Sequence, residues 1–227
     1  MHELVLILDF GSQYTQLIAR RIREEQVYCR IERSDLSATE IQSMGAKALV
    51  LSGGPNSIFE EQAPQVDPAI FELGIPILGV CYGLQIMTQH FKGNVIPGET
   101  REYGPMGIQF PTQSPLLEGV SEGSQVWMSH GDHVETIPEN FNIIARSSGD
   151  LIAGISNQSK ALYGVQFHPE VNHTVQGQTI ISNFLFKIAD FSRDWTSSSF
   201  VEDAIKEIQT TVGDGKVLLG LSGGVDS

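Results

Sequence analysis

A chain of 227 residues has room for one large domain, or for one domain and part of another, and 41% hydrophobic against 18% charged residues is the balance of a folded globular protein, not a disordered one. A formal net charge of −13 argues against non-specific attachment to nucleic acid or anionic membrane and favours small-molecule chemistry. Two cysteines supply no disulfide framework, no apolar run reaches membrane-spanning length, and the first residues lack a basic segment followed by a cleavable apolar one, so the cytoplasm is the expected location.

Leu4 to Leu8 is a continuous apolar run closed by Asp9-Phe10-Gly11-Ser12, and Tyr14 to Glu25 follows with Leu17, Ile18 and Ile22 on one helical face. This is a βα unit. Tyr28 to Ile31 predicts a second strand in which Cys29 is a packing residue. Ser37-Ala38-Thr39-Glu40 is a capping-box pattern that predicts a short helix ending before Gly45, and Ala48 to Leu51 predicts a third strand. Strands alternating with helices at this spacing imply an α/β fold, a mostly parallel open sheet covered on both faces, with functional groups at the carboxyl ends of the strands. Asp9, Ser52 and Cys81 share that rim. The loop Ser52-Gly53-Gly54-Pro55 has no lysine at phosphate-binding spacing, so it is not a nucleotide cradle. It either supplies a backbone donor near Cys81 or is a tight turn with nothing bound; the segment alone leaves both open.

Ile77 to Val80 predicts a short buried strand, and Leu84 to Phe91 a helix stopped by Gly93. Cys81 stands at their junction with Gly79 and Gly83 two residues to either side, the spacing of a nucleophile elbow with cysteine in place of serine. Backbone N–H groups and the dipole at a helix start favour thiolate over thiol, and the Tyr82 N–H would point where an oxyanion forms. A packing cysteine is the alternative reading, which the paired glycines disfavour.

From Asn94 to Gln166 short strands around Gly107 to Phe110, Gln125 to Met128, Asn142 to Ala145, Leu151 to Ile155 and Ala161 to Phe167 suggest antiparallel ribbons added to the sheet. Within them Ser129-His130-Gly131-Asp132-His133 is dense in polar groups. No helix sets a ligand spacing and no third ligand set is evident, so no metal is expected and a substrate-binding loop is the better reading. The last strand ends in Gln166-Phe167-His168-Pro169-Glu170, where Pro169 stops the pairing and Glu170 can reach back to the His168 imidazole. That supplies a base and its orienter for a thiol nucleophile, with His130 the second candidate base. Gln176 to Ile188 predicts a closing helix with Ile180, Ile181, Phe184, Leu185 and Ile188 inward. The polar stretch Ser192 to Ser199 then reads as a linker before a fresh amphipathic helix over Phe200 to Thr211 and a strand over Lys216 to Leu221. The strand runs into Ser222-Gly223-Gly224-Val225-Asp226-Ser227, a glycine-rich loop able to hold phosphate oxygens. Domains at 1–191 and 192–227 are expected, the second being the start of a longer chain.

The segments Leu8 to Tyr14, Ser52 to Pro55, Gly79 to Gln85 and Gln166 to Glu170 resemble the class I (triad) glutamine amidotransferases, whose sheet is flavodoxin-like. Followed by Ser222 to Ser227, the chain as a whole resembles the amino-terminal part of the glutamine-hydrolysing GMP synthetase family. The resemblance implies that Cys81, His168 and Glu170 are the catalytic triad and that Gly54 and Tyr82 hold the oxyanion. It places Gln85, Ser129, His130, Gly131 and Asp132 around the glutamine substrate. It also implies an ATP-binding role for Ser222, Gly223, Gly224, Val225, Asp226 and Ser227, at the start of an ATP pyrophosphatase domain that works on ATP, Mg and XMP. The glutaminase part needs no cofactor. A C–N ligase with glutamine as amide donor, homodimeric when full-length, is the expected whole. A stand-alone γ-glutamyl thiol hydrolase and a non-catalytic regulatory domain are the alternatives.

Overall fold

The computed structural model describes residues 2–218 and Gly220. Leu4–Asp9 (β1) is buried from Leu4 to Leu8, and its alternate side chains go to opposite faces of the sheet. Val5 and Ile7 enter a core with Ile18 and Ile22 of Thr15–Glu24 (α1), while Leu4, Leu6 and Leu8 enter a second core on the other face. Burial on both faces is why this strand reads as a continuous apolar run. Tyr28–Arg33 (β2), Ala46–Leu51 (β3) and Ile77–Val80 (β4) extend the parallel sheet. Ala38–Ser43 (α2) and Tyr82–His90 (α3) cover the second core with Ile41, Leu84 and Met87. The capping box of α2 forms as expected: the Glu40 N–H donates to Ser37 Oγ at 3.2 Å and the Ser37 N–H donates to the Glu40 carboxylate at 2.8 Å. Gly45, at φ 69°, follows in the left-handed conformation that ends helices.

Asn94–Gln109 (β5), Gln125–Thr136 (β6), Asn142–Ser147 (β7), Ile152–Asn157 (β8) and Leu162–Val165 (β9) complete a nine-stranded sheet among the described residues, ordered β2-β1-β3-β4-β9-β8-β7-β5-β6. β9 runs parallel to β4 and antiparallel to β8. The ribbon of β5 and β6 is much longer than the short strands the sequence suggested. Ser129 to Asp132, expected as a loop, is therefore part of a strand. Pro97, Gly98 and Pro105 argue against a strand when read locally, but this ribbon ends the sheet, where a missing donor and a register shift between Pro97 and Glu102 are tolerated.

The closing helix also departs from a regular one. Gly177–Asn183 (α4) widens into a π turn over Phe184–Ile188, with the Ala189 N–H donating to the Phe184 carbonyl at 2.9 Å. Phe184 and Leu185 stay in the first core, whereas Ile188 is only partly buried against it. The chain divides into two compact units, 1–194 and 195–227. Ser197–Val212 (α5) is the helix of the second. Lys216 to Leu218 of the expected strand carries no strand structure; Leu219, Leu221 and all of Ser222 to Ser227 lie outside the described residues. Among the described residues no helix is long and apolar enough to cross a membrane.

Candidate active site

β4 ends at Val80 and α3 begins at Tyr82, so one residue must make the whole turn. Cys81 makes it at φ 52° and ψ −102°, a conformation that a non-glycine side chain holds only when its surroundings enforce it. The surroundings are backbone. A Cβ on Gly83 would lie 2.4 Å from the Leu51 carbonyl oxygen, and one on Gly79 would lie 2.7 Å from Gly83 and Leu84 backbone atoms, so both glycines of the elbow are required by close approach. The Cys81 N–H donates to the Val165 carbonyl at 2.8 Å, tying the turn to the end of β9. Its thiol lies 3.8 Å from the Ser129 carbonyl. Because Tyr82 is the first residue of α3, its N–H has no carbonyl of the helix to donate to.

The end of β9 carries the second group. His168 and Glu170 are 4% and 1% exposed, and the imidazole Nδ1 meets Glu170 Oε1 at 2.8 Å. Burial pulls the imidazole pKa down, but the Glu170 charge and the neighbouring Cys81 thiol outweigh it and raise the pKa to about 10. The backbone of this segment is clamped. The His168 N–H donates to the Trp127 carbonyl at 3.0 Å, the Thr174 hydroxyl donates to the His168 carbonyl at 2.6 Å, and Arg21 Nε donates to the Glu170 carbonyl at 3.0 Å. Tyr14 packs edge-on against the imidazole with centroids 5.1 Å apart.

These groups open on a cavity of about 540 Å³ at the carboxyl ends of β1, β3, β4 and β9. Of the residues singled out from sequence, Gly54, Cys81, Tyr82, Gln85, Ser129, His130, Gly131, Asp132 and His168 line it, and Glu170 stands behind His168. His130 is not placed like His168: its Nδ1 donates to the Asp132 carbonyl at 2.9 Å, so it serves the β6 backbone. Asp9 and Ser52 shape loops. Asp9 accepts from the Gly11 N–H and the Thr15 hydroxyl, and Ser52 Oγ accepts from the Phe10 N–H. Tyr14, Ser57 and Glu60 line the cavity without having been expected there. Ser57 donates to Asp132 at 2.6 Å, and Asn56 and the Ser57 N–H hold the Glu60 carboxyl below its usual pKa. For Ser57 and Glu60 the signal was their position after β3; Tyr14, after β1, also closes the Leu8 to Tyr14 segment that carries the family resemblance. Burial, with the charges of Glu60 and Asp132 nearby, pushes the Tyr82 phenol up to about 12, and it donates to the Pro64 carbonyl at 2.8 Å. Among the described residues lining the cavity none is Lys or Arg, and among the described residues no His, Cys, Asp and Glu cluster could hold a metal ion.

The profile of the class-I glutamine amidotransferases matches residues 6–188. The chain belongs to that family. Among relatives of this amidotransferase, the "GMP synthase [glutamine-hydrolyzing]" of Caldanaerobacter subterraneus subsp. tengcongensis is 51% identical over 99% of the chain, and that of Maridesulfovibrio salexigens is 50% identical over 98%. In both alignments the chain spans 44% of the relative's length, so it corresponds to less than half of those curated enzymes. Among solved structures, a Thermoplasma acidophilum protein assigned as one subunit of a GMP synthase superposes with a TM-score of 0.75 at 28% identity, over 92% of this chain and 98% of that one. A glutamine amidotransferase of Thermotoga maritima shares the fold, with a TM-score of 0.59 at 18% identity over 92% and 93% of the two chains.

Proposed function

We propose that this chain is the glutaminase part of a GMP synthase, releasing ammonia from glutamine for the ATP-dependent amination of XMP to GMP by the rest of the protein. The observation that carries the proposal is the strained Cys81 turn set against a buried His168–Glu170 pair at the floor of one cavity. His168, whose pKa Glu170 and Cys81 raise, stands beside the thiol as the group to take its proton when the sulfur attacks. Attack on the side-chain amide carbon of glutamine breaks its C=O π bond and forms a tetrahedral oxyanion. The N–H groups of Tyr82 and Gly54, both residues of the cavity wall, would hold that charge. His168 then gives its proton to the amide nitrogen, the C–N bond breaks, and ammonia leaves a γ-glutamyl thioester on Cys81. Water, losing a proton to His168, attacks the thioester and releases glutamate with the thiolate restored. Glu170 keeps the imidazole in one orientation throughout and stabilises its charged form.

The lining favours a zwitterionic amino acid. Asp132, held by the Ser57 hydroxyl, and Glu60 can face the α-ammonium group, and backbone N–H donors of the cavity wall can face the α-carboxylate. ATP, Mg and XMP belong to the part of the protein that follows, which Ser222 to Ser227 would open, and full-length chains would pair as homodimers in the cytoplasm. The test is mass spectrometry after diazo-oxo-norleucine, an electrophilic glutamine analogue. One adduct on Cys81, absent from Cys81→Ala, is expected. An adduct elsewhere, or none even with the full-length protein supplied with ATP and XMP, would overturn the assignment.

A further inference from the structure

Gln166 directly follows β9, the strand that leads to His168, and is 1% exposed. A primary amide buried that deeply is costly unless both its ends are bonded. Here both are. Nε2 lies 3.5 Å from Cys81 Sγ, and Oε1 lies 3.4 Å from Gln85 Nε2. Gln85 Nε2 in turn donates to the Asp132 carbonyl at 2.8 Å. The order of the chain sets the direction of every bond. Because Gln85 presents its NH2 group, the partner atom on Gln166 must be the oxygen, and the Gln166 NH2 group is left for the sulfur. The backbone of Gln166 is held as well, its N–H donating to the Ala153 carbonyl at 2.9 Å.

We propose that Gln166 is a positioning residue for the nucleophile: its buried amide donates an N–H···S bond that holds the Cys81 sulfur in the attacking rotamer, and Gln85 holds that amide. A neutral thiol is a weak acceptor and a thiolate a strong one, so the bond also favours the charged sulfur. Because the relay ends on the Asp132 carbonyl, it ties the nucleophile to the strand that lines the substrate cavity. The proposal rests on Cys81 being the nucleophile of the glutaminase reaction.

Iodoacetamide, which needs no glutamine pocket, reads the sulfur alone. Gln166→Met removes the donor at similar volume, and Gln166→Glu replaces it with an acceptor. For Gln166→Met, alkylation of Cys81 near neutral pH should slow about tenfold and its half-maximal pH should rise by about one unit, the size of one hydrogen bond to a charged group. Gln166→Glu should move both further in the same direction. Unchanged alkylation profiles in folded variants would overturn the proposal. An independent measurement uses the unaltered chain: the Gln166 side-chain ¹⁵N–H resonances should titrate with the same midpoint as alkylation and shift when Cys81 is capped. Resonances that do not move would overturn it too. If the iodoacetamide effects appear but diazo-oxo-norleucine does not label Cys81, the positioning role stands and the glutamine reading is what fails.

Discussion

Gly83→Ala tests the elbow from its least visible side. As the second residue of α3, position 83 should prefer alanine by about 1 kcal/mol on helix propensity alone. The structure predicts the opposite sign. The added Cβ would sit 2.4 Å from the Leu51 carbonyl oxygen and 2.6 Å from Leu51 Cβ, whereas carbon contacts settle at about 3.5 to 4.0 Å. Leu51 cannot yield cheaply, because it is fully buried and pairs with Leu8 on one side and Gly79 on the other. The start of α3 must therefore move away from β3 by about 1 Å, and overpacking of this kind costs roughly 1–3 kcal/mol, toward the upper end where backbone is met. Net of propensity, a loss of about 1–2 kcal/mol should lower the melting temperature by about 2–8 °C. The same displacement carries Cys81 and the Tyr82 N–H, so glutamine turnover should fall about 100-fold. Thermal melts read by circular dichroism and a glutamate-release assay measure the two effects. Gly131→Ala, with nothing within 4 Å of its Cβ, is the stability control and should melt within about 1 °C of the unaltered chain. A Gly83→Ala protein that melts normally and keeps full turnover would refute the close-approach argument.

Glu170→Gln should change how stability depends on pH. The raised His168 pKa contributes stability that is fully present below the unfolded value of 6.5 and is lost as pH rises through about 10, so urea unfolding of the unaltered chain should weaken across that window and the variant's should be flatter. A variant with the same slope would show that Glu170 does not supply the charge. Ser37→Ala removes the side-chain half of the α2 capping box, at a residue that does not line the cavity, and should cost about 1 kcal/mol, seen as a melting point lower by about 2–4 °C with glutamine turnover unchanged.

The parallel half of the fold was legible because each of its strands is a short problem. Leu4 to Leu8 and Ile77 to Val80 are apolar without alternation since helices cover both faces, and the Ser37–Glu40 box announces its helix within four residues. The antiparallel ribbon was not legible at full length. Its prolines and glycines at 97, 98, 104 and 105 carry the local signature of loops, and what makes them tolerable is a position at the end of the sheet, which no window of sequence contains. The π turn after Asn183 is hidden for a similar reason: Phe184 and Leu185 hold the first core and Ile188 is only partly buried, while the apolar spacing by itself describes one regular helix.

For the site, the legible parts are those whose geometry is made by neighbours in the chain. Gly79-Val80-Cys81-Tyr82-Gly83 contains its own steric argument, and His168-Pro169-Glu170 contains its own hydrogen bond. Tyr14, Ser57 and Glu60 lie in loops after β1 and β3 and reach the same cavity only because the order β1-β3-β4-β9 sets four parallel carboxyl ends side by side. Gln166 shows the limit most sharply. It stands two residues from the expected base, yet its partners are 85 and 81 positions away in sequence, and the side chain's use is decided by which strand β9 pairs with. Pairing β9 with β4 brings Val165 to the Cys81 N–H and Gln166 to the Cys81 sulfur in one step, so the register that builds the sheet also holds the Cys81 side chain.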